Sequence, residues 1–262
     1  MTRLHLAFAC EGAMLAGTLD PAPGSTGLLI VSGGNEIRSG AFSGQAELAR
    51  RIAAAGFPVF RFDRRGIGDS EGENRGFRHS DKDIRAALET FRALAPQLGR
   101  VVAFGNCDAA SALMLARGGG CDALVLSNPW TIEEEQGGAE HPTPPPAAIR
   151  ARYAEKLRNP REIARLITGG VDLGKLARGL ARALRPAPPP SSLADEMRAG
   201  LSGFAGPVRI LLAGADRTAQ VFESAWDRAD PRIRRCPGAG HAFVEAAHRD
   251  WLVAEIRAVL ET

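Results

Sequence analysis

Val101-Val102-Ala103-Phe104-Gly105-Asn106-Cys107-Asp108-Ala109-Ala110-Ser111-Ala112-Leu113-Met114-Leu115-Ala116 is the stretch on which the reading of this chain turns. Val101–Phe104 is a short apolar run of strand type, and small and apolar residues then continue with helical character to Ala116. Between the two lies Gly105-Asn106-Cys107-Asp108-Ala109, with a small residue two positions either side of a nucleophilic one. A sharp strand-to-helix turn crowds those two positions, so neither tolerates a bulky side chain. Such a turn raises the Cys107 thiol above the sheet at a helix N-terminus, where the dipole favours thiolate. A thiolate attacks acyl carbon without strong base assistance. The turn alone is also compatible with a buried structural cysteine in a packed corner.

Two further strand ends carry matching chemistry. Val208–Leu212 runs into Gly214-Ala215-Asp216-Arg217-Thr218, and Ile233–Cys236 runs into Gly238-Ala239-Gly240-His241-Ala242. Asp216 has the position of an acid that orients a histidine, and equally that of a helix N-cap. His241 projects from a glycine-rich loop, unlike His5, His79, His141 and His248, which read as structural or solvated. Nucleophile, acid and base in the order Cys107, Asp216, His241 follow the chain order of one triad architecture. Together they are a stronger signal than any of the three alone.

The remaining elements alternate. Leu4–Phe8 and Met14–Leu19 read as an opening antiparallel pair, Leu28–Val31, Val59–Phe62 and Ala123–Leu126 as further strands. Helical patterns cover Phe42–Ala55, Asp81–Leu94, the stretch after Asp216 to about Trp226, and Val244–Leu260. This predicts an α/β architecture with a mainly parallel sheet covered on both faces, and ligands at the carboxyl ends of its strands. The rhythm breaks from Trp130 to Ala205, where two Pro-Pro-Pro runs flank helical patterns and no strand is evident. We expect a core over 1–129 and 206–262, with a helical cap or lid inserted at 130–205.

Composition bounds the function. The chain has 262 residues, 24% of them charged, and a net charge of +3, too small by itself to point to nucleic acid. From Ala147 to Arg185 there are ten Lys or Arg against three Asp or Glu. That basic cap suits an anionic acyl carrier, a phosphorylated lipid or a membrane surface, or is simply a lid with solvated arginines. No apolar run is long enough to span a bilayer, and the N-terminus lacks the features of a secretory signal, so a cytoplasmic location is expected. None of the four cysteines (Cys10, Cys107, Cys121, Cys236) has metal-ligand spacing. No metal and no cofactor is expected, and Cys10, Cys121 and Cys236 read as core filler.

Phe62-Asp63-Arg64-Arg65-Gly66-Ile67-Gly68-Asp69-Ser70 matches D-x-R-G-x-G-x-S after a strand. With it the chain resembles the α/β-hydrolase superfamily. The resemblance implies a mostly parallel eight-stranded sheet flanked by helices with a helical cap, and structural roles for Asp63 and Arg65. It puts the Gly33-Gly34-Asn35 turn in the place of an oxyanion loop, so that backbone N–H groups of Asn35 or Gly34 and of Asp108 would bind the oxyanion. Glu36, Arg38 and Trp130 are candidates for substrate contact, Glu36 and Arg38 alternatively for pairing with each other. The resemblance narrows to the exosortase A system-associated hydrolases, type one. Gly105-Asn106-Cys107-Asp108-Ala109-Ala110-Ser111, Gly33–Gly40, Phe62–Gly72 and Leu126-Ser127-Asn128-Pro129-Trp130 carry it. It implies a bacterial enzyme tied to exopolysaccharide production and protein sorting.

The expected chemistry is hydrolysis of an ester or thioester, the substrate being a small-molecule or lipid-linked acyl compound. Acyl transfer would use the same residues, and a scaffold with a weak site that binds a partner of the sorting system is the non-enzymatic alternative. Dehalogenase or epoxide-hydrolase chemistry would need Asp at the nucleophile position, and Asp108 stands one residue too late. Oligomeric state is not legible.

Overall fold

The structure is a computed structural model that describes residues 3–132 and 192–262. Its strands are β1 (Leu4–Cys10), β2 (Ala13–Asp20), β3 (Thr26–Val31), β4 (Val59–Phe62), β5 (Arg100–Asn106), β6 (Ala123–Ser127), β7 (Val208–Ala213) and β8 (Ile233–Cys236). They form one sheet in the order β1-β2-β4-β3-β5-β6-β7-β8. β1 and β2 pair antiparallel, joined through Glu11 and Gly12. Both of those residues have positive φ (46° and 80°), the two-residue turn whose twist suits a hairpin. β2 meets β4 antiparallel, and every other pairing is parallel. This is the mostly parallel eight-stranded sheet expected from the sequence.

Six α-helices among the described residues cover the sheet: α1 (Gly44–Ala54), α2 (Asp81–Leu94), α3 (Asp108–Leu115), α4 (Ser192–Ser202), α5 (Arg217–Ala225) and α6 (Ala246–Leu260). Successive residues of a strand point to opposite faces, so a doubly covered strand is apolar throughout. In β3, Leu28 and Ile30 pack with Leu48 and Ile52 of α1 and Ile256 of α6. Leu29 and Val31 pack on the other side with Phe91 of α2, Leu113 of α3, Met197 of α4 and Phe222 of α5.

The stretch 133–191, which holds most of the expected cap and its basic residues, lies outside the described residues. At the C-terminal end of the expected 130–205 insertion, α4 is part of the core. Leu193, Ala194, Met197 and Leu201 are buried at its inner face, and Gly200 lies against α3 so closely that a Cβ would stand 2.0 Å from the Met114 carbonyl oxygen. The helical periodicity of this segment therefore reflects packing on the sheet. Among the described residues no helix is long and apolar enough to cross a membrane.

β3 and β5 are adjacent and parallel although β4 comes between them in sequence, so the strand order reverses there. Ligand sites of open α/β sheets form outside the strand ends at such a reversal. Val31 and Gly105 are register partners, which brings the loops after β3 and β5 side by side. Replacing Gly200→Val should push α4 off α3 and destabilise the fold by about 1–3 kcal/mol, the usual cost of overpacking. Urea denaturation reads this directly, and an unchanged midpoint would remove α4 from the core.

Candidate active site

The turn after β5 is a strained corner. Cys107 has φ 62° and ψ −128°, outside the regions that L-residues ordinarily occupy. Close packing on both sides maintains it. A Cβ on Gly105 would stand 2.7 Å from the Ala109 carbonyl carbon and 2.8 Å from the Ala110 nitrogen, so helix α3 can start there only above a glycine. Gly33 of the neighbouring loop is as tight, its Cβ position 2.5 Å from the Asn106 carbonyl oxygen. The Cys107 N–H donates to Ser127 O (3.0 Å), and its carbonyl accepts from Ala110 N (3.1 Å) and Trp130 N (3.3 Å). The N–H and the carbonyl of the strained residue are thus both satisfied.

Cys107 is partly exposed, whereas Cys10, Cys121 and Cys236 are buried. Burial pushes the Cys121 thiol up to about 12 and raises that of Cys236. Burial, reinforced by the Asp83 carboxylate, raises that of Cys10. Those three are held as inert thiols by their surroundings.

Asp216 and His241 arrive on loops that are stitched together. Gly214 N donates to Cys236 O and Ala215 N to Ala239 O, both at 2.9 Å. His241 Nδ1 and Asp216 Oδ2 are 3.0 Å apart. The same Oδ2 accepts from Ala219 N at 3.1 Å, so Asp216 caps α5 and holds the imidazole with one oxygen. Burial opposes charging His241, but hydrogen bonds to Asp216 and Cys107 and their negative charge outweigh it, raising the ring to about 10. The three residues singled out in the sequence are brought together.

Two amides missed in the sequence hold the histidine loop. The His241 carbonyl accepts from Asn128 Nδ2 (3.2 Å) and Asn106 Nδ2 (3.4 Å), and Asn128 also bonds Asn106 Oδ1 (3.0 Å) and Ala213 N (2.9 Å). Asn128 is fully buried with φ 43°, and its only outward sign was the Asn-Pro pair at the end of β6.

The turn after β3 corrects one expectation. Gly34 N–H is not open to an oxyanion, because it donates to Asp108 Oδ1 at 2.5 Å. The N–H groups of Asn35 and Asp108 have no hydrogen-bond partner among the described residues, Asp108 because it opens α3. The available backbone pair is therefore Asn35 and Asp108.

Of the expected contact residues, only Glu36 borders the open cleft beside His241. This cleft, of about 90 Å³, is lined by Leu48, Phe104, Phe243, Leu252 and Val253. Phe42, 90% exposed, and Val244 stand at it too. Arg38 does not pair with Glu36. Its guanidinium is taken by Asp63, Asp69 (2.9 Å) and Thr18 (3.0 Å), which ties the loop to the strands beneath. Trp130 sits partly buried under the elbow, its indole N–H given to Ile132 O at 2.7 Å. Arg65 belongs to a separate cluster with Asp83 and Cys10. Among the described residues no group of three or more His, Cys, Asp or Glu could hold a metal ion.

Comparison with known proteins agrees with this fold. The model of the "Alpha/beta hydrolase family" matches residues 28–255. Similar solved structures include an esterase of Pyrococcus furiosus, Pf2001, at 12% identity and a TM-score of 0.61, covering 99% of this chain and 90% of that one. GrgF, an alpha/beta hydrolase from a Penicillium species, has 18% identity and a TM-score of 0.58, covering 100% and 96%. A serine hydrolase homologue from Coxiella burnetii has 16% identity and a TM-score of 0.56, covering 99% and 96%. At these identities they share the fold. No curated protein matches the sequence.

The raised His241 makes a prediction with a definite sign. A histidine whose folded pKa lies above its unfolded value, about 6.5, stabilises the fold fully below that value. The contribution is lost as pH rises toward about 10. The stability gap between wild type and Asp216→Asn, read from urea midpoints, should be largest near neutrality and below and close toward about pH 10. A gap independent of pH would mean that the pair is not charged.

Proposed function

We propose a cysteine-dependent acyl hydrolase, starting from the fact that the chain belongs to the alpha/beta hydrolase family. That it is a hydrolase follows from the family and its esterase-like fold relatives. The observation that carries the finer reading is the conjunction of the strained Cys107 corner with the Asp216–His241 hydrogen-bonded pair, whose imidazole is raised in part by Cys107. Cys107 Sγ attacks the acyl carbonyl as thiolate, and the oxygen gains negative charge under the N–H groups of Asn35 and Asp108. His241, protonated, hands its proton to the leaving oxygen or sulfur as the bond to it breaks. The neutral ring then takes a proton from water, which attacks the thioester and frees the carboxylic acid and Cys107. Asp216 keeps Nδ1 as the donor side of the ring through both steps.

The apolar cleft between α1 and α6 supports a short apolar acyl group, since it opens beside His241 and is lined by aliphatic and aromatic side chains. The segments Gly105–Ser111 and Phe62–Gly72 support placing the enzyme among the exosortase A system-associated hydrolases. The basic stretch 147–185 favours an anionic carrier or a lipid-linked acyl donor.

Brief incubation with short- and long-chain acyl thioesters and p-nitrophenyl esters, followed by intact-mass analysis, should reveal an acyl adduct on the wild type and none on Cys107→Ala. An adduct that survives in Cys107→Ala would refute the nucleophile. Val253→Phe should fill the cleft and lower kcat/KM for butyryl over acetyl esters by about tenfold, the scale of one or two methylenes in an apolar pocket. An unaltered chain-length profile would place the acyl group elsewhere.

A further inference from the structure

Arg64 is the variable residue of the D-x-R-G motif, yet its side chain is 6% exposed and reaches the elbow. Nη2 donates to Gly34 O at 2.5 Å and pairs with Asp108 Oδ2 at 3.1 Å, while Nη1 reaches Ser80 Oγ at 3.3 Å. Asp108 in turn accepts the Gly34 N–H through Oδ1. Both polar atoms of one glycine backbone are therefore gripped by one ion pair, and Gly34 has φ 55°, a conformation with no intrinsic preference to hold it there.

The consequence lies one atom further on. Gly34 C=O and Asn35 N–H belong to the same planar peptide group, and no peptide bond among the described residues is cis. Fixing the carbonyl toward Arg64 fixes the Asn35 N–H in the opposite direction. The other free donor, the Asp108 N–H, belongs to the residue whose carboxylate completes the grip. Gly33 leaves no space between the two loops, its Cβ position being 2.9 Å from Asp108 Oδ1.

We infer that Arg64 and Asp108 form a clamp that aims the Asn35 and Asp108 N–H groups at a common point, and so act as positioning residues of an oxyanion hole. The inference rests on the acyl chemistry proposed above. It explains why an acid follows the nucleophile directly: its carboxylate is turned to the neighbouring loop and neutralised there by a buried guanidinium. An unpaired carboxylate at that place would repel the oxyanion.

The test separates oxyanion formation from thiol reactivity. Alkylation of Cys107 by iodoacetamide is displacement at saturated carbon and forms no oxyanion. Acylation by p-nitrophenyl acetate forms one. Full-length wild type, Arg64→Lys and Asp108→Asn are compared by the ratio of the two rate constants, which cancels any change in the sulfur itself. The ratio should fall about 10- to 100-fold in both variants, less than the loss of a whole oxyanion donor because the N–H remains but is misaimed. A ratio equal to that of wild type overturns the inference even if both rates drop. Thermal melts establish folding, and Arg64→Lys, which keeps the buried cation, carries the test if Asp108→Asn does not fold. Failure of both to fold assigns the pair to stability and overturns the positioning role. A wild type that is alkylated at Cys107 but never acylated would refute the hydrolase mechanism itself, a distinguishable outcome.

Discussion

The backbone of Cys107 is the constraint around which this end of the molecule is built. A residue held at φ 62° and ψ −128° costs on the order of 1–3 kcal/mol. It persists because its surroundings over-determine it: β5 and β6 hold the chain before it, and α3, buried from Ala109 to Met114, holds the chain after it. Gly105 and Ala109 are small because the corner folds them onto each other, and Gly33 is a glycine because the next loop must pass beneath the same corner. The strain has a chemical return. It leaves the thiol at the surface of the switch-point crevice while the other three cysteines stay inside.

Charge is handled differently at the two sides of the site. On the histidine side, one carboxylate is shared between a helix cap and an imidazole, and the ring is left protonated around neutrality. On the other side, the Asp108 carboxylate stands next to Cys107 and is paired with the Arg64 guanidinium buried beside it. A buried ion pair of this kind contributes little net stability against an apolar replacement, because both ions lose water. Its value lies in the hydrogen bonds it distributes, which reach the Gly34 peptide and Ser80.

What was legible in the sequence follows from range. Cys107, Asp216 and His241 each sit within five residues of a strand end, in local patterns of small residues whose conjunction says more than any one of them alone. The sheet was legible because runs such as Leu28–Val31 and Ala123–Leu126 are wholly apolar and alternate with amphipathic helices such as Asp81–Leu94. Asn106 and Asn128 were not legible as braces of the histidine loop. Their bonds to His241 O run between strand ends far apart in sequence, and only the β5–β6–β7 register brings them together. Arg64 was hidden beside Arg65, the residue that the motif names, which turns away to Asp83. Arg38 looked like a mouth residue because it follows the Gly33-Gly34-Asn35 turn, but buried Thr18 and Asp63 claim its guanidinium. The helix α4 read as cap because its own amphipathicity does not reveal which apolar surface it meets.

The frame of the site is also independent of the segment that interrupts the chain. β6 and β7 are register partners from Leu124 and Val208 to Ser127 and Leu211, although some eighty residues separate them in sequence. Asn128 donates its own N–H to Leu211 O and accepts from Ala213 N through Oδ1, so the junction is closed on the sheet side before the chain departs. The loops that carry Asp216 and His241 are joined backbone to backbone, and Cys107 is tied to β6 through Ser127. The positions of Cys107, Asp216 and His241 relative to one another are therefore set by bonds among β5, β6, β7, β8 and the loops at their ends.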